Sequence, residues 1–221
     1  MRFTHIELPS SDVDACLAFF RDVLQLRITG HVVHAGWTDI EIIPIVRMGD
    51  GAVHLAFNVP YHRFAVACEW IAQRALILRD PLGEEQFHIG DPWDSESVYF
   101  AGPHEAVLEL IARKPLGGEG VGGGPFHGRE ITCVSEVGLP TEDVPALVRD
   151  LVVRFGISPF GEVSDVFAPM GGHEGLLIVV DQARRWFPEH RQLPGGRGLR
   201  LCLGEVCSGR PVRGIAGWTV E

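Results

Sequence analysis

Three stretches of the chain share one hydrophobic pattern: alternating apolar and polar residues, a polar turn, then apolar residues every three or four positions. THIELPSSDVDACLAFFRDVLQLRI starts at Thr4, VHLAFNVPYHRFAVACEWIAQRALI at Val53 and SEVGLPTEDVPALVRDLVVRFGI at Ser135. Period-two alternation marks a strand with one buried face, and spacings of three and four mark an amphipathic helix. In the first stretch Phe3, His5 and Glu7 share one face of a strand over 2–8, with Thr4, Ile6 and Leu8 on the other. Ser10, Ser11 and Asp12 supply capping chemistry for a helix over 13–24, whose Leu17, Phe20 and Leu24 form its apolar stripe.

Further strands are predicted over 26–33 and 36–45, closed by the MGDG turn at 48–51. The second stretch opens a similar unit, with a helix over 63–74 and strands over 85–89, 97–101 and 106–113. The third repeats the strand and helix and is followed by strand candidates over 163–168, 176–180 and 199–206. RRWFPEHRQLPGGRG reads as a surface loop between the last two. This predicts an α+β chain of βαβββ units, two of them complete and the third degenerate.

GGEGVGGGP at 117–125 breaks the pattern and reads as a flexible linker. It lacks the GK[ST] ending of a phosphate loop and the strand and helix that would flank a dinucleotide loop. The predicted organisation is a paired unit over 1–116, a linker over 117–126 and a third module over 127–221.

With 221 residues, 46% hydrophobic and 22% charged, the chain has the makeup of a globular protein with a sizeable core. A formal net charge of −10 and the lack of a basic run argue against nucleic acid and anionic membranes as partners. The five cysteines, Cys16, Cys68, Cys133, Cys202 and Cys207, contain no CxxC pair and suggest neither a disulfide framework nor a structural zinc knuckle. MRFTHIELPSSD has no secretory signal pattern, and no apolar stretch is long enough to span a bilayer, so the cytoplasm is the expected location.

Candidate chemistry comes from comparing the units. His5 and His54 open equivalent strands, and alignment of ELPSSDV with GLPTEDV puts Glu136 at the position of His5. A second internal alignment, GPHEAVLELIA on GGHEGLLIVVD, puts Ile178 opposite Glu109. The third unit thus lacks both the histidine and this glutamate, which suggests a scaffold without metal chemistry. Two imidazoles and a carboxylate around one pocket suit Fe(II) or Mn(II), and a further carboxylate as fourth ligand would suit Zn(II), Ni(II) or Mg(II). Glu109 lies in the apolar run VLELIA, where a buried carboxylate calls for a cation or a hydrogen-bond partner. His88, in FHIGDPW, is placed at the pocket rim as an acid or base, and Trp37, Trp93 and Tyr99 as lining.

The units that begin with THIEL and HLAFNVP and end with SVYFAGPHEAVLELIAR resemble the vicinal oxygen chelate superfamily of glyoxalases, bleomycin resistance proteins and extradiol dioxygenases. The closing segment is the most specific part, although Gly102-Pro103-His104-Glu105 departs from the usual turn before the last strand. The resemblance implies two modules paired into a glyoxalase-like open barrel around a divalent metal ion. It implies His5, His54 and Glu109 as metal ligands, with Glu41 in WTDIEII as a fourth. Two functions follow. One is a metal-dependent enzyme whose small substrate chelates the ion through adjacent oxygens, by dioxygenase or by glyoxalase and lyase chemistry. The other is a protein that sequesters a small molecule without chemistry. The odd third module either covers the first two or pairs with its copy in a second chain, giving a homodimer.

Overall fold

The computed structural model describes residues 1–117, 123–204, 211–214 and 217–221. The first unit comprises β1 (Arg2–Ser10), α1 (Val13–Asp22), β2 (Arg27–Thr29), β3 (Val32–Ala35) and β4 (Thr38–Pro44). The second comprises β5 (His54–Val59), α2 (Phe64–Ala72), β6 (Gln86–Ile89), β7 (Ser95–Ala101) and β8 (Val107–Arg113). The third has β9 (Cys133–Thr141), α3 (Val144–Phe155), β10 (Phe167–Gly172) and β11 (Gly175–Asp181). Three short strands follow: β12 (Arg200–Gly204), β13 (Val212–Arg213) and β14 (Thr219–Val220). The C-terminal end of the predicted 199–206 strand, and Cys207, lie outside the described residues.

The repeat is real at the level of single hydrogen bonds. Asp12 caps α1 by accepting from the Ala15 amide at 3.0 Å, and Asp143 caps α3 by accepting from the Ala146 amide at 2.8 Å. In every unit the first strand lies parallel to the last, β1 on β4, β5 on β8 and β9 on β11, with the helix making the crossover. One strand is displaced from its expected place. The stretch predicted over 163–168 is mostly a turn, in which the Ser164 hydroxyl accepts from the Phe167 amide, and β10 starts only at Phe167. Val163 and Val166 are accordingly exposed.

The first two modules are those expected, the third keeps β9, α3, β10 and β11 while the strand predicted over 199–206 joins the other sheet as β12, and the partners differ from those expected. Among the described residues the strands form two seven-stranded sheets, β13-β14-β12-β1-β4-β3-β2 and β10-β11-β9-β5-β8-β7-β6. The second and third units therefore pair through antiparallel β5 and β9, while the first pairs with the C-terminal strands through β1 and β12. The predicted grouping of 1–116 as one paired unit is thereby corrected. A first strand offers one free edge, and hydrophobic pattern does not state which edge it meets. The third module finds its partner within the chain, so the module count no longer calls for a second copy.

One apolar core runs between the sheets and under the helices, joining Phe3, Ile6 and Phe20 to Leu55, Phe57, Val137 and Leu139. Close backbone approaches lock the sheets together. Thr38 donates to the Phe3 carbonyl and accepts from the Val134 amide, and Trp218 donates its indole N–H to the Pro140 carbonyl. Gly36, at φ 59°, lies where an added Cβ would fall 1.7 Å from the Thr132 carbonyl oxygen, so only glycine fits. No helix among the described residues is long and apolar enough to cross a membrane.

Candidate metal centre

The sheet of the second and third modules curls around a cavity of about 400 Å³. Its chemistry gathers around Ala56 on β5, whose register partners are Glu109 on β8 to one side and Glu136 on β9 to the other. His54, two residues earlier, points to the same face of the pleat. The pairing of β5 with β9 shifts register between Ala56 and Phe57, opposite Ser135. Such irregularities re-aim a side chain, and here the neighbouring Glu136 points into the cup. His54 Nε2 is 3.7 Å from Glu109 Oε2 and 3.7 Å from Glu136 Oε2. One ligand atom from each of the three residues lies within 4.8 Å of the others.

All three groups are buried, with His54 5%, Glu109 2% and Glu136 4% exposed, so their charges must be balanced locally. Arg113, on the same face of β8 and fully buried, forms an ion pair with Glu136 Oε1. Burial pushes the Glu136 carboxyl up, but Arg113 and His54 outweigh it and hold the group below its ordinary value. For Glu109, burial first and then the charge of Glu136 outweigh His54 and Arg113 and push the carboxyl up to about 8. Burial alone would lower the His54 imidazole, yet the two carboxylates outweigh burial and raise it. His54 Nδ1 lies 3.0 Å from the Val107 carbonyl and donates to it, which leaves Nε2 as the ring nitrogen facing both carboxylates.

This donor set fits a divalent cation. A buried carboxylate oxygen, Glu109 Oε2, has no hydrogen-bond partner, and an imidazole already anchored through Nδ1 aims Nε2 at it. A cation held by His54, Glu109 and Glu136 would satisfy that oxygen and offset the crowding that raises Glu109.

No protein-family model and no curated protein matches the chain. Solved structures do. Glyoxalase I from Zea mays superposes with a TM-score of 0.57 at 11% identity, covering 99% of this chain and 90% of that one. A candidate dioxygenase from Bacillus subtilis superposes with a TM-score of 0.59 at 16% identity, covering 92% of this chain and 70% of that one. The chain has the vicinal oxygen chelate fold. At these identities the likeness concerns the fold, and the chemistry must be argued from the residues of this chain.

Within the vicinal oxygen chelate fold, the structure brings together only two of the four ligands expected from sequence, His54 and Glu109. His5 and Glu41 lie on the other sheet, where His5 Nε2 faces Glu41 Oε2 at 3.4 Å and both side chains are open to solvent, at 33% and 41%. The correction follows from the strand pairing: β1 is bonded to β12 rather than to β5, so its face opens elsewhere. His88 is also displaced from its expected role. Alternation on β6 turns Phe87 and Ile89 into the cavity, and His88 faces solvent.

Glu136 is the residue that sequence reasoning set aside. The alignment that placed it at the position of His5 was correct, but one donor had replaced another where a donor appeared to be lost. Arg113 was missed as well, although a charge ending VLELIAR on the face of Glu109 was a usable signal. Trp93 and Tyr99 do line the cavity, whereas Trp37 lies in the turn between β3 and β4, beneath Arg2. The RRWFPEHRQLPGGRG segment roofs the cavity. Trp186 sits 5.1 Å from the His54 ring and donates to the Ala52 carbonyl at 2.8 Å, and Phe187 packs edge-on to Phe87 at 4.6 Å and Tyr99 at 5.2 Å. Gly138 makes room for this roof, since a Cβ there would lie 2.7 Å from the Trp186 ring.

Proposed function

We propose that the chain is a divalent-metal enzyme that binds a small substrate through adjacent oxygens at a centre held by His54, Glu109 and Glu136. The carrying observation is the convergence of His54 Nε2 and two buried carboxylates on one point of an aromatic-walled cavity, with Glu109 Oε2 unsatisfied. One imidazole and two carboxylates form an oxygen-rich set, which favours harder ions such as Mn(II) and Fe(II) over a site built from two imidazoles. A bound ion would act as a Lewis acid that polarises substrate oxygens.

The chain's own residues supply the rest. The Val107 carbonyl fixes the tautomer and tilt of His54. Arg113 occupies one oxygen of Glu136 and leaves Oε2 facing His54. Glu109, with a pKa of about 8, holds a proton near neutrality beside the Tyr99 hydroxyl while no ion is bound, and would give it up to become a ligand. Trp186, Phe187 and Phe87 exclude water from above, which strengthens every charge interaction beneath them. Apolar Ile178, at the position equivalent to Glu109 in the third module, adds no donor.

Whether the reaction consumes oxygen or isomerises its substrate is open to a direct assay. Purified protein equilibrated with Mn(II), Fe(II), Zn(II) or Ni(II) is expected to retain one ion per chain, in the wild type and in His5→Ala but not in His54→Ala. Oxygen uptake with catechols against isomerisation of thiol hemithioacetals then separates dioxygenase from glyoxalase-type activity. Failure of every divalent ion to bind stoichiometrically would sink the enzyme reading and leave a sequestering protein.

A further inference from the structure

We propose that the cavity selects an aromatic anion, with Arg184 binding its carboxylate or equivalent group and the ring lying against the aromatic walls. This rests on the reading of the cavity as a substrate site and names the class of substrate it takes. Arg184 lines the cavity together with Phe87, Tyr99, Trp186 and Phe187. Its guanidinium lies over the Phe167 ring, 4.8 Å from the centroid, which fixes the plane of the group without using its N–H donors.

Among the described residues that line the cavity, Arg184 is the one arginine or lysine. Arg113, Arg63, Arg79 and Arg200 are each ion-paired with a carboxylate, in a chain carrying 29 acidic and 19 basic side chains. Arg184 has neither an ion pair nor a side-chain hydrogen bond among the described residues, although it is half-buried. A guanidinium stays charged at any working pH, so a partly desolvated one in an apolar cavity is complementary to an anion. At the His54 end Arg113 is already held by Glu136, so no unpaired arginine or lysine competes there for an anion. That placement orients a ligand in one way, anionic group on Arg184 and polarisable oxygens toward His54. The edge-on rings of Phe87, Tyr99 and Phe187 enclose a space suited to a flat ring between the two ends.

Calorimetric titration of metal-free protein at pH 7 with 2-naphthoate and its neutral isostere 2-naphthamide tests the assignment without depending on metal or turnover. The carboxylate is expected to bind about tenfold more tightly. Arg184→Gln should abolish that preference, and Arg184→Lys should restore part of it. Equal binding of the two probes to wild type, or a preference that survives in Arg184→Gln, overturns the proposal. Metal content measured on the same samples separates the two readings. An ion bound without anion preference overturns the Arg184 assignment alone, and anion preference in a chain that binds no ion overturns only the metal centre.

Discussion

The two buried carboxylates of the candidate centre are predicted to respond unequally to the same substitution. Glu136 neutralises Arg113, which is fully buried, and the pair is the only direct charge compensation that Arg113 has among the described residues. Glu136→Gln leaves a guanidinium buried without its counter-charge, a change that costs about 3–5 kcal/mol. In a chain of 221 residues, at about 2–4 °C per kcal/mol, the melting temperature should fall by roughly 6–20 °C. Burial and the charge of Glu136 outweigh His54 and Arg113 and push Glu109 up to about 8, so at pH 7 it is mostly protonated, and an amide closely imitates that state. Glu109→Gln should therefore cost less than about 1 kcal/mol. Urea unfolding at pH 7 with EDTA measures both. Repeating it with excess Mn(II) should stabilise the wild type by about 2.7 kcal/mol at one hundred times Kd, and neither variant. Equal cost for the two variants in EDTA would refute this division of labour, and so would Glu136→Gln unfolding at the wild-type midpoint.

Three further outcomes are expected. Glu109 has a folded pKa of about 8 against an ordinary 4.5, so the folded state holds a proton that the unfolded state has released. Metal-free stability should therefore fall as pH rises from 4.5 to 8, while metal affinity, which requires loss of that proton, should rise about tenfold per pH unit up to 8. Calorimetry with Mn(II) at pH 6, 7 and 8 checks this, and an affinity independent of pH contradicts it. Trp186→Ala removes a buried side chain, 4% exposed, together with its bond to Ala52. It should cost about 3–5 kcal/mol in urea unfolding and weaken binding of the naphthalene probes, and retained probe affinity would show that this residue does not roof the cavity. His88→Ala, on the solvent face of β6, should change metal affinity and any turnover less than about threefold; a larger loss would return His88 to the site.

Much of the local structure was legible because it is built from short-range chemistry. Asp12 and Asp143 cap equivalent helices, and the alternation of HLAFNV and VLELIAR marks two buried strands of one module. His54 and Glu109 were legible as a pair for the same reason: parallel pairing of first and last strand is internal to a module. Glu136 was visible in the right alignment and misread, because a carboxylate in the place of an imidazole was taken as the loss of a ligand. Arg184 and Trp186 were hidden in a Gly- and Pro-rich segment whose composition describes a loop but not what lies beneath it.

The sequence by itself determined the modules: the opening strand and the helix of each repeat, which face each buries, and that His54 and Glu109 share one. Those are properties of period and spacing, carried by neighbours a few residues apart. Only the tertiary structure decided that the second module meets the third and the first meets the C-terminal strands, because the free edges of β1, β5 and β9 offer the same backbone hydrogen bonds and differ only in what must fit across them. That choice separates His5 from His54, brings Glu136 and Arg113 together, and so replaces an expected pair of histidines with one histidine between two carboxylates.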